Sequence, residues 1–145
     1  MLRVTKMTDY ASVLLSCLAQ APNRVHSASE LAELAKLEIT TVSKVLKPLA
    51  HAGLIEGFRG SQGGYRLALP ATHINLYTVV EAMEGRLGMT ECSGEHSQCG
   101  HEAHCGIQTH WQKINDVIAN TLKSVSIAEL SGNPDKSIPL KLAKA

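Results

Sequence analysis

The order of three segments within residues 27–67 constrains the fold more than any other feature of the sequence. Ser27 and Glu30 have the spacing of a capping box, which satisfies free amide groups at a helix start. A short helix is expected to follow, and then, after a tight connection, a second helix from about residue 40 to about residue 52. The residues expected to face the core are Leu31, Leu34 and Ala35 in the first helix and Val42, Val45, Leu46 and Leu49 in the second. Two helices joined in this way are a helix-turn-helix candidate.

A β-hairpin is predicted directly after the second helix. Residues 54–56 and 65–67 have the character of short strands, and the segment between them contains four glycines and Arg59. A hairpin in this position is the layout of a winged helix, in which the negative potential of a narrow minor groove would attract Arg59. A plain hairpin with turn glycines is the alternative. A phosphate-binding loop is disfavoured because the segment lacks Gly-Lys-Ser/Thr.

Helices are also predicted on either side of this unit. One covers about residues 8–20, with Val13, Leu14 and Leu18 on one face, and another covers residues 75–84. A long helical pattern then extends from residue 106 to about residue 130. Its apolar stripe comprises Ile107, Trp111, Ile114, Ile118 and Val125.

The length of that apolar stripe indicates the oligomeric state. One small domain cannot easily cover it, so we expect a homodimer, with folding back on the chain's own domain as the alternative. The predicted fold is mainly α with a small β-hairpin wing. We divide it into a winged helix-turn-helix domain (1–70), a connecting and dimerisation region (71–130) and a flexible tail (131–145).

Charge is distributed unevenly along the chain, although its net charge is only +1. Residues 1–70 carry +3, residues 71–130 carry −4 and the last 15 residues carry +2. A basic front half is expected if only that half contacts phosphate, and chance variation in a small count is the alternative. No stretch approaches the roughly 20 apolar residues of a membrane span, and Asp9 and Tyr10 interrupt the first apolar run, which argues against a signal peptide. A cytoplasmic protein with no membrane association is predicted.

The four cysteines divide into one and three. Cys17 stands in the first predicted helix, where we expect it to act as a buried small hydrophobe. Cys92, Cys99 and Cys105 fall within 14 residues, with six and five residues between them. These intervals are wider than the roughly two to four residues usual between zinc ligands, and they suit a larger group such as an iron–sulfur cluster. Zinc and direct thiol oxidation stay open, because four of the seven histidines lie near these cysteines.

With these motifs in place, the sequence resembles the IscR/NsrR (Rrf2) family of winged-helix regulators over about residues 1–130. The matching features are MTDYA in the first helix, the helix pair, RGSQGGYRL in the hairpin, EAMEG, and three spaced cysteines before a long helix. The segments TECSG and HWQKINDVIANTLKSVSIAEL are most similar to regulators of the Suf iron–sulfur assembly operon.

The resemblance implies a set of DNA-binding residues. Thr40, Ser43 and Lys44 match the base-reading part of the family's recognition helix, and Arg59 and Gly60 match its wing contact. The complete predicted interface with double-stranded DNA comprises Thr40, Thr41, Ser43, Lys44, Lys47, Arg59, Gly60, Ser61 and Tyr65. In a dimer, the two recognition helices would lie about 34 Å apart, one turn of DNA.

The resemblance also implies that Cys92, Cys99 and Cys105 hold a cluster together with one further ligand. One branch of the family uses a histidine three residues after the last cysteine, where this chain has Gln108. Another uses an aspartate at the start of the partner subunit's first helix, which Asp9 matches. We therefore predict Asp9 as the fourth ligand, with His104 and His110 as alternatives. A charge that merely stabilises the helix N-terminus is the other explanation for Asp9. The cluster is expected to be 2Fe–2S or 4Fe–4S, with 2Fe–2S favoured.

Together these features predict a transcriptional regulator rather than an enzyme. We expect a repressor of iron–sulfur cluster assembly genes whose DNA binding changes with cluster occupancy or redox state. The alternative is a nitric-oxide-sensing or a zinc- or thiol-switched regulator of the same fold. A thiol enzyme that pairs a loop cysteine with a histidine is disfavoured, because the sequence shows no convincing oxyanion element.

Overall fold

The computed structural model describes residues 3–91, 93, 99–100 and 104–132. Within these residues the chain forms helices, a 3-10 turn at Ala71–His73 and a two-stranded antiparallel hairpin, which confirms the predicted fold class. The elements are α1 (Lys6–Gln20), α2 (Ala28–Ala35), α3 (Ile39–His51), β1 (Ile55–Phe58), β2 (Gly64–Leu67), the 3-10 turn (Ala71–His73), α4 (Leu76–Glu84), α5 (Gln108–Lys123) and α6 (Ile127–Ser131).

Helix α1 begins at Lys6, slightly earlier than predicted. The Thr5 side chain caps it by accepting a hydrogen bond from the Thr8 N–H at 3.3 Å. Its buried apolar residues are Ala11, Leu14, Leu15 and Leu18. The prediction that Val13 shares this face is wrong, because Val13 lies about 200° around the helix axis from Ala11 and is exposed.

Helix α2 starts at the predicted cap, where the Ser27 hydroxyl accepts a hydrogen bond from the Glu30 N–H at 3.1 Å. Leu31 is buried, but Leu34 is 52% exposed, so the prediction that both face the core is wrong. The buried face extends from Leu31 towards Ala32, and Leu34 lies about 60° from Leu31 in the opposite direction.

Helix α3 follows a turn of three residues, 36–38, in which Lys36 adopts the left-handed conformation with φ 53°. Its predicted stripe is confirmed, since the buried residues of the helix are Val42, Val45, Leu46 and Leu49. The helix is closed by Gly53, whose φ of 72° suits glycine. Leu54 N–H donates to the Leu49 carbonyl at 3.0 Å and Gly53 N–H to the Ala50 carbonyl at 3.1 Å, which together form a Schellman motif.

The hairpin is anchored to the rest of the fold at its base. Ile55 pairs with Leu67, and both side chains are buried. His26 and Tyr65 exchange backbone hydrogen bonds of 2.9 and 2.7 Å, which ties the hairpin to the α1–α2 connection. At Gly64 an added Cβ would lie 2.2 Å from the His26 carbonyl oxygen, so this crossing requires glycine.

The C-terminal part differs from its prediction. The helix expected at residues 75–84 is confirmed as α4, with Asn75 as its cap. The single helix expected from residue 106 to residue 130 is wrong, because α5 ends at Lys123 and α6 starts at Ile127. The Ser126 and Glu129 side chains form a capping box, which begins a new helix. Helix α6 then packs across α1.

One core joins these elements. Its buried residues come from α1, α2, α3, the hairpin base, α4 and α6, and Ile127 is the buried residue that α6 contributes. Val125, predicted to belong to the apolar stripe of the long helix, lies after the end of α5 at Lys123. It is buried, and its carbonyl accepts a hydrogen bond from the Leu76 N–H at 2.9 Å. Within α5, Ala119 is the buried residue. No helix in the described part of the chain has the length and apolarity that a membrane span requires.

Candidate nucleic-acid interface and cysteine loop

One side of α3 is polar and exposed. Thr40, Ser43, Lys44 and Lys47 are all exposed, while Thr41 is half-buried. At about 100° per residue, the four exposed residues fall within one sector opposite the buried stripe, and Thr41 lies at its edge. The structure therefore brings four of the five predicted α3 residues together on one face and places the fifth beside them.

The hairpin carries an exposed arginine, Arg59, at its tip and a second arginine, Arg66, along its side. Arg59, Gly60 and Ser61 are exposed in the turn after β1, where Gly60 has a φ of 103°. Arg66 instead forms an ion pair with Glu56 at 2.5 Å. Its guanidinium also lies 4.9 Å from the centre of the Phe58 ring. Arg59 is therefore exposed at the tip, and its contact with DNA stays a prediction.

Tyr65 has a position different from that of the tip residues. It is half-buried and packs against the core, and its backbone pairs with His26. The Tyr65 ring lies over its hairpin partner Gly57, where an added Cβ would be at an ordinary van der Waals distance of 3.4 Å from the ring. These contacts support the base of the wing, and a DNA contact by Tyr65 stays a prediction.

Residues 86–106, here called the cysteine loop, join α4 to α5. Cys99 and Cys105 are half-buried, and His104 and His110 are exposed. Cys92 lies outside the described residues. Within those residues, no three His, Cys, Asp or Glu side chains are grouped closely enough to hold a metal ion. The donor chemistry of the two described thiols suits an iron–sulfur group, and the ligand set remains a prediction.

Asp9 is exposed in the first turn of α1. Its N–H donates to the Thr5 carbonyl at 3.2 Å, so its backbone belongs to the helix. Cys17, farther along α1, is half-buried against the core, and burial raises the pKa of its thiol. This agrees with the prediction that Cys17 acts as a small hydrophobe rather than as a reactive group.

A contact that the sequence analysis missed lies immediately before the cysteine loop. The Glu84 carboxylate at the end of α4 accepts hydrogen bonds from the Thr5 N–H at 2.9 Å and from the Thr8 hydroxyl. The Thr8 hydroxyl and then the Thr5 amide hold the pKa of Glu84 below its usual range. The partners are more than 70 residues apart in sequence, so no local spacing could have indicated this contact, although EAMEG and MTDYA both carried the family resemblance.

The family assignment follows from comparison with known proteins. Residues 4–133 match the model of the Rrf2 family, which is described as an iron-dependent transcriptional regulator. The chain belongs to the Rrf2 family. This confirms the resemblance at family level.

A relative and two solved structures agree with this assignment. NMA1593 of Neisseria meningitidis serogroup A, named as an HTH-type transcriptional regulator, is 33% identical over 140 residues, covering 94% of each chain. The structure of CymR, the global cysteine regulator of B. subtilis, matches with a TM-score of 0.71 at 21% identity, over 90% of this chain and 97% of that chain. IscR of T. potens matches with a TM-score of 0.67 at 25% identity, over 89% and 85%. The chain is therefore a DNA-binding transcriptional regulator with a winged-helix fold.

Proposed function

We propose that this Rrf2 protein is a homodimeric, cytoplasmic repressor of iron–sulfur cluster assembly genes. The observation that carries its DNA-binding mode is the exposed face of α3, which places two lysines beside short hydroxyl side chains. Lysines neutralise phosphates, and short polar side chains can reach base edges in the major groove. Arg59 at the wing tip would extend the interface into the minor groove.

Binding to double-stranded DNA selected from a random library tests this mode. Lys44→Ala and Lys47→Ala should both weaken binding, and where the lost contact is one to a phosphate, as expected at Lys47, the slope of log K against log salt should fall by about one. Lys113→Ala is the matched control, because Lys113 is an exposed lysine on α5 in the acidic half of the chain. Affinities unchanged by both α3 substitutions would contradict the proposal.

Exposed apolar residues at the N-cap of α5 and along that helix support the proposed dimer. Ile107, Ile114 and Val117 are 60%, 44% and 53% exposed, and their spacing places them on one side of the helix. A second copy of α5 would cover this surface. Val117→Glu should convert the dimer to a monomer in analytical ultracentrifugation, whereas Gln112→Glu, at an exposed polar position, should leave it dimeric.

The cysteine loop is proposed to supply the regulatory input. The thiolates of Cys92, Cys99 and Cys105 would hold an iron–sulfur cluster, with Asp9 of the partner subunit as the fourth ligand. When bound, such a cluster supplies a redox-active group whose presence or oxidation state can be sensed. Glu84 connects the start of the loop to Thr5 and Thr8, and α1 packs against α3. We expect a change in the loop to reach the recognition helix through these contacts.

The absorption spectrum of anaerobically purified protein, with iron and sulfide assays, tests the cluster. We expect broad absorption between about 320 and 460 nm that is lost in Cys92→Ser, Cys99→Ser and Cys105→Ser. Cys17→Ser is the control, because that thiol packs against the core. A protein that stays colourless after anaerobic reconstitution would contradict the cluster and favour a zinc- or thiol-switched regulator of the same fold.

A further inference from the structure

The recognition helix α3 begins with an exposed apolar residue outside the predicted interface. Ile39 is 47% exposed, although it is a large aliphatic residue. Its backbone carbonyl accepts a hydrogen bond from the Ser43 hydroxyl at 2.9 Å. Because the two residues are four apart on a helix, their side chains are neighbours on its surface.

The Ser43 hydrogen bond determines what its oxygen can offer to a ligand. A serine hydroxyl has one hydrogen to donate and two lone pairs that accept. Ser43 uses its hydrogen within the helix, so its exposed oxygen presents only lone pairs. Lys44, the next residue of the same exposed face, has an ammonium group that can only donate. The two side chains therefore have opposite hydrogen-bonding polarity.

We propose that Ser43 and Ile39 determine operator sequence specificity through distinct chemical groups in the major groove. Ser43 accepts a hydrogen bond from an exocyclic amino group, either adenine N6 or cytosine N4, while Ile39 contacts the methyl group of a neighbouring thymine. Lys44 donates to an acceptor such as guanine N7 or O6. This inference rests on the proposed binding of DNA by α3, and it specifies which atoms of the bases are recognised.

The test of Ser43 removes single atoms from the DNA. Competitive selection with wild type and Ser43→Ala first locates the base pair whose identity depends on Ser43. At that pair, purine replaces adenine or pyrimidin-2-one replaces cytosine, which removes the amino group, and a 7-deazapurine separately removes N7. Amino removal should weaken wild-type binding about threefold to tenfold and have little further effect in Ser43→Ala. Loss of N7 should affect the two proteins equally.

The test of Ile39 uses the thymine methyl group. Replacing thymine by deoxyuridine beside the Ser43-dependent pair should weaken wild-type binding about fourfold, which corresponds to one buried methyl group. The same replacement should have no effect on Ile39→Ala. An unfolding transition of Ile39→Ala and Ser43→Ala equal to that of wild type will show that α3 is intact in both variants.

Different results would overturn the reading by Ser43, the contact by Ile39 and the underlying DNA-binding mode. A Ser43 effect coupled to N7, a uniform loss on all DNA sequences, or no Ser43-dependent base pair would overturn acceptor-based reading by Ser43. A deoxyuridine effect that persists in Ile39→Ala would overturn the methyl contact. Failure of the wild type to select any DNA, or unchanged binding by Lys44→Ala and Lys47→Ala, would instead overturn the proposed DNA-binding mode.

Discussion

The helix–wing segment (residues 27–67) and the cysteine loop (residues 86–106) depend on partners at very different sequence separations. In the helix–wing segment, Ser27 caps its own helix and Gly53 closes α3 through adjacent carbonyl groups. Immediately before the loop, Glu84 accepts a hydrogen bond from the Thr5 N–H, and within it Met89 donates its N–H to the Asn115 side chain at 3.3 Å. The proposed fourth ligand comes from another subunit. Capping contacts such as those at Ser27 and Gly53 can be deduced from the local sequence pattern, whereas contacts between remote residues, such as Glu84 with Thr5 or His26 with Tyr65, cannot.

The largest effect is expected from the core below the recognition helix. Leu46→Ala should lower the free energy of unfolding by about 3 kcal/mol, because Leu46 is fully buried on α3. Leu34→Ala, at an exposed position of α2, should change it by less than about 0.5 kcal/mol. Urea denaturation of both variants measures the difference, and similar losses would contradict the assignment of the two helix faces.

The next largest loss of stability is expected at a glycine of the helix–wing segment, and a glycine of the cysteine loop is its control. Gly64→Ala should cost about 2 kcal/mol and weaken DNA binding, because the new methyl group would collide with the His26 carbonyl and displace the wing. In the cysteine loop, an added Cβ on Gly100 has no neighbour within 4 Å among the described residues, so Gly100→Ala should be nearly neutral. Chemical denaturation and DNA titration measure both variants. A larger loss of stability for Gly100→Ala than for Gly64→Ala would refute the close approach at Gly64.

A binding effect is expected at the wing tip. Arg59→Ala should weaken operator binding about tenfold without a change in unfolding free energy, because Arg59 is exposed. Arg66→Gln removes a cation that Glu56 and Phe58 already hold, so its effect on affinity should be smaller. Fluorescence anisotropy compares the two variants, and a larger loss for Arg66→Gln would place the DNA contact on the side of the hairpin.

The smallest effect is expected at the contact before the cysteine loop. The pKa of Glu84 is lowered, so its stabilisation is present above the unfolded-state pKa of about 4.3 and is lost as the pH falls through the folded-state value. Because the carboxylate is exposed and screened by solvent, Glu84→Ala should cost no more than about 0.5 kcal/mol near pH 7, and less in acid. Glu81→Ala, at an exposed position of the same helix, is the control. A loss that grows in acid would refute the charged contact.

The errors of prediction have specific physical causes. Val13 and Leu34 are apolar and helical, but only the packing of neighbouring helices determines which side of each helix faces the core. The predicted helix ending near residue 130 has a continuous apolar pattern, yet the cap at Ser126 and the hydrogen bond from Leu76 to Val125 interrupt it. Hydrophobic period indicates a helix, and it does not show where a chain reverses.

The sequence alone determined the helix pair, the hairpin and the cysteine spacing, because capping, turn formation and amphipathic period act within a few residues. It also sufficed for the polar face of α3, since a helix places residues 40, 43, 44 and 47 together in any context. Only the tertiary structure decided that Glu84 contacts Thr5 and Thr8, that α6 packs on α1 and that Ile114 and Val117 of α5 are exposed while Ala119 is buried. These features depend on the packing of elements that are far apart in the chain. The spacing of residues along the sequence does not show which remote elements come into contact.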